Sequence, residues 1–526
     1  MMLMTISFLV ARATYRGWGC AAAFQGIAKS VVPRSSFSQL HYPSRCISHH
    51  VSASPTISSS DTDNNTDLAN MLKEAYDDRE TDGVQDIIRA NKIVEQLSIN
   101  GDAYEVADEL VTAALKASNS NKSLAAILNA ILGSCCGSSS GSDEVALINN
   151  YPQVALAILE LIDEMHEEDE SSMIKPDIVT LSLIYYSLCA QSQHDSAQSI
   201  LERAQKMSKK AAGSQRRRAL AAERRKGSKN TVLDAKEAEK QLQSIYGPDI
   251  HILHDSDDLI VLSKPAGQVC YHTKKTSAGK LSQSRKKKKK GEATPDDDGS
   301  KIDISLEDSL LDMNFALSTV NHVARGIVHR LDRGTSGCIC LAKSNEAHMK
   351  LIATFFLRRV TKKYLALVPS PLPSSLGQEG VIDALVDGKP ARSKFRVVKT
   401  YGEEESKGGV AMLEVETLTG RKHQVRKHCS KIGLPIIFDP LYSSFEPPVL
   451  ASRRKTKKDI QRKKSVKNDS TEKKSTLPRA ISDLEMTMIP GQERFFLHAQ
   501  SLSIPEFGVD VQAPLPTWWT ETLDQL

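Results

Sequence analysis

Apolar residues in the first half of the chain recur at spacings of three and four, as Ile158, Leu161 and Met165 illustrate. This spacing places apolar side chains on one face of an α-helix. Alternating β-branched positions are few in the same region. The pattern therefore predicts an all-α module over residues 69–207, and the Gly- and Ser-rich stretch 133–143 predicts an inserted loop within it.

The pattern changes near Ile250, where short apolar runs bounded by polar residues and glycine replace the helical spacing. Such runs predict β-strands. Two longer amphipathic stretches, 344–359 and 423–432, predict helices among them. Strands with helices among them predict an α+β domain with a mixed or antiparallel sheet over residues 247–526. The predicted strands lie at 259–263, 327–331, 338–342, 364–368, 394–401 and 411–417, and the sheet resumes at 495–499.

Basic residues are clumped, although the net charge of the 526-residue chain is only +5. Residues 208–246 form a basic, alanine-rich stretch, which is either a tether that lies along a phosphate backbone or a solvated linker. Two lysine-rich insertions, 273–303 and 451–482, have the composition of disordered segments. They would raise the affinity for RNA without sequence preference, or act as nuclear signals.

The first 60 residues contain no Asp or Glu but several Lys and Arg residues and many serines. Residues 1–60 thus have the composition of an organellar transit peptide. The apolar start, 1–11, also fits a signal-peptide core ahead of a cleavage region at 20–24, which would suit a plastid reached through the secretory route. A mitochondrial presequence fits equally. We expect the protein to be located in the mitochondrion or the plastid rather than in the nucleus.

Several classes of protein are disfavoured by what the chain lacks. Its nine cysteines are scattered without a Cys-x-x-Cys pair, which argues against a zinc ribbon and a disulfide framework. A phosphate-binding glycine loop and metal-ligand spacing are also missing, so we expect no metal and no cofactor. Apolar runs stay well short of the roughly 20 residues of a membrane span. We expect a soluble monomer.

The stretch with the clearest chemical content is 329–337, His-Arg-Leu-Asp-Arg-Gly-Thr-Ser-Gly. Asp332 lies between Arg330 and Arg333, and apolar runs flank the glycines and the Thr-Ser pair. This arrangement predicts a tight strand–loop–strand element. A carboxylate on a loop held by rigid strands is well placed for chemistry. A turn aspartate with surface arginines is the simpler alternative.

This run resembles the catalytic motif of the RluA family of RNA pseudouridine synthases. Three further stretches resemble that family in its usual order, namely 257–267 with its Lys-Pro-Ala-Gly turn, 362–368 with a tyrosine, and the arginine motif 418–428. The resemblance implies a pseudouridine synthase fold that isomerises uridine in RNA without metal, ATP or oxidant. One departure concerns the family's Gly-Asp-x-x-Tyr segment, which begins here with Phe438 and leaves the conformation of that loop open.

The resemblance also implies roles for individual residues. Asp332 would act on the ribose, either by attack at C1′ or by removal of the C2′ proton. Arg421 would pair with it and orient it, and Arg426 is the second choice. Tyr364 would stack on the extruded uracil and assist removal of the C5 proton. The residues predicted to bind RNA are Lys264, Arg330, Arg333, His423 and Arg426.

The phrase that runs from Ala155 through Met165 to Lys175-Pro176-Asp177 resembles the junction of two pentatricopeptide repeats. Such helical hairpins stack into solenoids that read single-stranded RNA one base per repeat. Ser182 would fall near a base-reading position. A generic helical bundle and a protein-binding array are the alternatives.

The sequence therefore predicts an organellar RNA pseudouridine synthase whose helical repeats help to choose the substrate from rRNA, tRNA or mRNA. A non-catalytic RNA-binding or ribosome assembly factor with the same fold is the first alternative. A protein-binding helical scaffold with a vestigial synthase domain is the second.

Overall fold

A computed structural model of the protein describes residues 91, 93–98, 101–118, 121–136, 150–168, 175–208, 235–271, 305–313, 315–321, 324–373, 376–402, 409–442 and 494–526. They belong to one structural unit, Ser59–Leu526. The predicted targeting segment, both lysine-rich insertions and most of the basic linker lie outside the described residues.

The first half of the described chain is helical, as its apolar spacing predicts. Its helices are α1 (Ala103–Ala117), α2 (Asn121–Ser134), α3 (Pro152–Glu168), α4 (Ile178–Ala190) and α5 (194–208). Asp177 begins α4 as a capping box, because its carboxylate accepts from the Thr180 backbone N–H at 2.8 Å while its own N–H donates to the Thr180 hydroxyl. Whether these helices are pentatricopeptide-like repeats stays a prediction.

In the second half, the described strands form one mixed sheet. The only parallel pair among them is β3–β8, and the spatial order is β1-β2-β3-β8-β4-β7-β6-β5, with β9 beside β8. The strands are β1 (His251–Asp255), β2 (Leu259–Lys264), β3 (Ser336–Ala342), β4 (Thr361–Ser370), β5 (Glu379–Asp383), β6 (Arg392–Tyr401), β7 (Gly409–Thr417), β8 (Leu497–Ile504) and β9 (Val509–Gln512). The described helices of this half are α6 (Ala235–Tyr246), α7 (Leu306–Asp312), α8 (Asn345–Phe356), α9 (Gln424–Lys431) and α10 (Thr517–Leu523).

The predicted strand at 327–331 is wrong. Ile327 makes one isolated bridge to Leu341, and the chain then leaves the sheet as a loop. The reason lies at Gly326, whose φ of +68° turns the chain where a Cβ would come within 2.5 Å of the Ala342 carbonyl oxygen. The other predicted strands are confirmed to within a few residues. Helix α6 falls within the predicted linker but packs on β1 through buried Ala238 and Leu242.

Helix α8 belongs to the cores of both halves of the described chain. Leu351 packs with the sheet, whereas Met349 and Ala353 join the core of the helical half. The Ser182 hydroxyl of α4 meets the Met349 sulfur at 3.4 Å, and Ser182 is fully buried. The expectation that Ser182 contacts RNA is therefore wrong, because α8 covers it.

A polar cluster reinforces this shared core. The Arg359 guanidinium donates to the Tyr186 hydroxyl at 2.6 Å, to the Cys136 carbonyl at 3.0 Å and to the Glu506 carboxylate at 3.1 Å. Tyr186 and Cys136 come from the helical half, and Glu506 follows β8 at the far end of the chain. The helical half is thus held in a fixed place on the sheet.

We expect Arg359→Met to lower the free energy of unfolding by about 2–3 kcal/mol, because it removes the ion pair between Arg359 and the largely buried Glu506 carboxylate. The control is Arg396→Met. It breaks the Arg396–Glu414 pair, in which the arginine side chain is 59% exposed, and it should lower the stability clearly less than Arg359→Met does. Urea unfolding of the full chain measures both. Equal costs would contradict the role given to Arg359.

Candidate active site

Asp332 lies on a loop that is fastened from behind by Lys264. The Lys264 side chain is fully buried, and its ammonium donates to the carbonyl oxygens of Pro265, Gln268 and Arg333 at 2.9, 2.9 and 3.2 Å. An ammonium has three hydrogens, and all are used inside the protein. The predicted RNA-binding role of Lys264 is therefore wrong, and its place is to hold the loop.

Gly337 lets the end of this loop enter the sheet. Its φ is +106°, and a Cβ there would lie 2.2 Å from the Ala499 carbonyl oxygen. Only glycine permits so close an approach of β3 to β8. The loop thereby enters the sheet at a fixed point five residues after Asp332. The carbonyl of Asp332 accepts from the Thr335 N–H at 3.1 Å.

The cation that pairs with Asp332 is Arg426, the second choice, and not Arg421. Arg426 Nη1 donates to Asp332 Oδ2 at 3.0 Å. Arg421 lies in the turn before α9, and its Nε donates to the Pro390 carbonyl at 2.9 Å. The reason is helical geometry, because Arg426 is in the first turn of α9 and is aimed at the loop by the helix, whereas Arg421 precedes the helix.

Arg426 is itself held by a second carboxylate, Asp439. Its Nε and Nη2 donate to the two Asp439 oxygens at 2.7 Å each, which is a bidentate pair. Asp439 is fully buried, and the rings of Tyr442 and Phe495 lie on the guanidinium with centroids at 5.1 and 4.5 Å. Burial alone would lower the pKa of Arg426, but Asp439 and Asp332 raise it. The guanidinium is a permanently charged bridge between the two carboxylates.

Phe438 occupies the left-handed backbone region, with a φ of +62°, in the place where the related motif has glycine. This conformation costs a non-glycine residue about 1 kcal/mol or more. The ring is 1% exposed and packs against Phe496 at a centroid distance of 5.8 Å. Burial of the ring offsets the backbone strain, so the loop keeps the conformation that presents Asp439 to Arg426.

His423 is a second neighbour of Asp332. Its Nε2 lies 3.4 Å from Asp332 Oδ1, and its Nδ1 is 3.0 Å from the Tyr442 hydroxyl. Desolvation lowers the pKa of His423, although the charge of Asp332 opposes this effect. The imidazole is therefore mainly neutral at neutral pH. It lines the same cleft as the carboxylate.

Tyr364 stands on β4 between Val415 of β7 and Ala499 of β8 and lines the cleft that contains Asp332. Burial, followed by the charge of Asp332, raises the pKa of its hydroxyl. The phenol therefore stays protonated at neutral pH and is available as a hydrogen-bond donor. The structure brings Tyr364 and Asp332 into one cleft, as the sequence predicts.

The remaining predicted residues are divided between the cleft and its surroundings. Arg330 is exposed in the cleft, with its guanidinium 5.5 Å from the centre of the Tyr271 ring. Arg421 also lines the cleft. Arg333 is half-buried and lies outside the residues that line it, so the structure gives no support to the predicted RNA contact.

Sequence reasoning missed several cleft residues, above all Lys362. Lys362 and Tyr364 lie two apart on one strand, so alternation places both on the same face and could have revealed the lysine. Its ammonium is 5.7 Å from the centre of the Phe355 ring, and burial, with a contribution from Arg358, lowers its pKa to about 8. Lys389 and Lys422 add further positive charge.

His329, by contrast, is structural. The Cys340 backbone N–H donates to its Nε2 at 2.9 Å, so that nitrogen carries no proton. The ring stacks on Phe355 at 4.9 Å, and burial, followed by the charge of Lys362, lowers its pKa to about 3. The imidazole stays neutral and fixes the approach to the Asp332 loop.

These residues line one cleft with a volume of about 1280 Å³. One wall is the sheet domain, with the cations Arg330, Arg358, Lys362, Lys389, Arg421, Lys422 and Arg426. The other wall is helical and comes from α2 and the start of α4. Asp332 and Asp177 are the carboxylates among the described lining residues. The charge of the sheet wall suits a polyanion.

In the described parts of the chain, no three His, Cys, Asp or Glu side chains are grouped so that they could bind a metal ion. Of the described helices, none has the length and apolarity that a membrane crossing requires.

Comparison with known proteins agrees with this site. Residues 258–431 match the family model of RNA pseudouridylate synthase. This stretch of the chain is therefore similar to RNA pseudouridine synthases. The matched stretch contains Asp332, Tyr364 and Arg426, and it ends before Asp439.

Three relatives illustrate the similarity to pseudouridine synthases. An uncharacterized RNA pseudouridine synthase of Chloroflexus aurantiacus is 36% identical over 26% of this chain and 45% of its own length. Ribosomal large subunit pseudouridine synthase D of Pseudomonas aeruginosa is 31% identical over 41% of this chain and 62% of its own. The chloroplastic RNA pseudouridine synthase 2 of Oryza sativa is 25% identical over 53% of this chain and 64% of its own length. The chain thus spans less than two thirds of the length of these relatives.

The strain at Phe438 predicts an unusual order of stability for two variants. Both Phe438→Ala and Phe438→Gly lose the ring, at a cost of about 3–5 kcal/mol. At a negative φ alanine would be the more stable of the two. At a φ of +62° we expect Phe438→Gly to be the more stable, by about 1 kcal/mol. Urea unfolding checks this, and an alanine variant at least as stable as the glycine variant would contradict it.

Proposed function

We propose that this protein is an RNA pseudouridine synthase that isomerises uridine in organellar RNA, with Asp332 as its catalytic carboxylate. The observation that carries the proposal is the position of Asp332, which lies in a basic cleft and is bonded to a buried arginine at 3.0 Å. The relatedness of residues 258–431 to RNA pseudouridylate synthases supports it.

The reaction breaks the C1′–N1 bond of uridine and forms a C1′–C5 bond, after which the C5 proton leaves and N1 gains one. C1′ becomes electron-poor when the base departs, and an ionised carboxylate stabilises or traps such a centre. Asp332 is 22% exposed on the cleft side, and its Oδ2 is engaged by Arg426. It therefore meets the sugar in one orientation. Attack at C1′ and removal of the C2′ proton are both compatible with this placement.

The target uridine must leave its stack to reach Asp332. Tyr364 offers its ring to the extruded base, and its protonated hydroxyl is a donor in the same cleft. Arg330 is exposed at the cleft, and we assign to it the space that the base leaves in an RNA helix. The cations of the sheet wall then face the phosphates on either side of the target.

The organellar part of the proposal rests on the acid-free composition of residues 1–60. The chloroplastic relative from Oryza sativa, which is 25% identical, gives it modest support. Ribosomal RNA is the first substrate to examine, because the Pseudomonas aeruginosa relative is named for the large ribosomal subunit.

A non-catalytic RNA-binding or assembly factor is the second candidate. A clamp without turnover needs the basic wall but not an oriented carboxylate among the cations. Asp332 adds a negative charge where a phosphate would bind, which weakens binding unless the carboxylate has a chemical task. The arrangement around Asp332 therefore favours catalysis.

We expect Asp332→Asn to lower pseudouridine formation by about 10³-fold or more while the fold is kept, because the change removes the negative charge with little change of shape. The C5 proton is lost in the reaction, so release of tritium from [5-³H]uridine-labelled organellar rRNA transcripts measures turnover. Asp510→Asn, a change at an exposed position on β9, is the control. Undiminished tritium release by Asp332→Asn would overturn the assignment. Lack of release by the unaltered protein on all organellar RNA would favour the non-catalytic factor.

A further inference from the structure

The helical wall of the cleft has a chemical character of its own. It consists of the small side chains of Ala125, Ala126 and Ala130, together with Asn129 and, at the start of α4, Asp177 and Val179. These alanines are half-buried and leave space in front of α2. The wall is therefore smooth, with polar groups concentrated at one point.

That point is the pair Asn129 and Asp177, which are joined through Thr180. The Thr180 hydroxyl lies 2.9 Å from Asn129 Oδ1 and 3.0 Å from Asp177 Oδ1. This contact orients the Asn129 amide, so that its Nδ2 is the atom left over. Among the described contacts neither Asn129 Nδ2 nor Asp177 Oδ2 has a partner, although both residues line the cleft. A donor and an acceptor of the cleft lining thus belong to two residues that contact the same Thr180 hydroxyl.

The distance between this pair and Asp332 is fixed by the fold. The core shared with α8 and the Arg359 cluster attach the helical half to the sheet. The cleft holds about 1280 Å³, whereas pockets for one small ligand hold about 300–1000 Å³. The space therefore accepts more than the target nucleotide alone.

Charge decides which way a strand would lie in this space. The cations are on the sheet wall, so the phosphates would face the sheet and the bases beside the target uridine would face α2. Every base carries an adjacent donor and acceptor on its Watson–Crick edge, and that edge is accessible only when the base is unpaired. The Asn129–Asp177 pair is complementary to such an edge.

We propose that the helical wall is a subsite for an unpaired base of the substrate RNA next to the target uridine, with Asn129 Nδ2 donating to the base and Asp177 Oδ2 accepting from it. The identity of the ligand as RNA rests on the proposed function. The helical half then contributes directly to the substrate site beside Asp332.

Asn129→Asp tests the subsite because it keeps the acceptor for Thr180 and removes the amide donor. Gln153→Glu is the matched control, since it makes the same chemical change at an exposed position of α3 outside the cleft. The probe is a fluorescent single-stranded RNA oligonucleotide of random sequence, compared with uridine monophosphate, which has no neighbouring base. We expect Asn129→Asp to bind the oligonucleotide about tenfold more weakly and the mononucleotide equally well, and Gln153→Glu to bind both as the unaltered protein does.

Ala126→Leu is a second variant that suits a helix and fills the space in front of α2. It should also weaken oligonucleotide binding and raise KM in the tritium assay without a matching fall in kcat. If Asn129→Asp and Ala126→Leu both fold and bind the oligonucleotide as tightly as Gln153→Glu does, the subsite is refuted while the proposed function stands. A failure of the proposed function is separate, because the unaltered protein would then release no tritium whatever the variants bind.

Discussion

The site depends on one chain of charges, in which Arg426 joins the buried Asp439 to the partly exposed Asp332. Removing a carboxylate and a guanidinium from water is costly, and their pairing repays that cost only when the geometry is good. Here both Asp439 oxygens are bonded to the arginine, and Oδ1 also accepts from the backbone N–H groups of Leu441 and Tyr442. Arg426 therefore has little freedom to move. Because Arg426 also donates to Asp332, the orientation of the Asp332 carboxylate is restricted as well.

The rest of the described fold serves to bring this chain of charges to a cleft. Lys264 fastens the loop of Asp332 to β2, and Gly337 fixes where that loop enters the sheet. Helix α8 carries the helical half on its outer face, so the cleft has a second wall at a fixed distance. A carboxylate that must meet the sugar of an extruded nucleotide needs this degree of preorganisation.

Periodicity predicted most strands correctly and predicted helices where the described part of the first half has them, and motif resemblance predicted that Asp332 and Tyr364 share one site. The choice between Arg421 and Arg426 could not be made in this way, because it depends on where α9 begins. Burial of the Lys264 ammonium could not be predicted either. Its partners are backbone carbonyl oxygens, which every residue has, so no sequence pattern indicates them. The prediction for Ser182 was wrong for a related reason, because the residue is covered by α8, which lies much later in the sequence.

The most direct test of this account is the turnover of Asp439→Asn on [5-³H]uridine-labelled RNA. The change keeps the shape of a side chain that is fully buried and lies outside the cleft lining, but it weakens the hydrogen bonds that hold Arg426 and so Asp332. The account predicts that kcat falls by about 10–100-fold while KM for RNA changes little, when turnover is measured at a temperature at which the variant, although less stable, is still folded. A variant with unchanged kcat would show that Asp332 does not depend on Arg426 and Asp439 for its orientation.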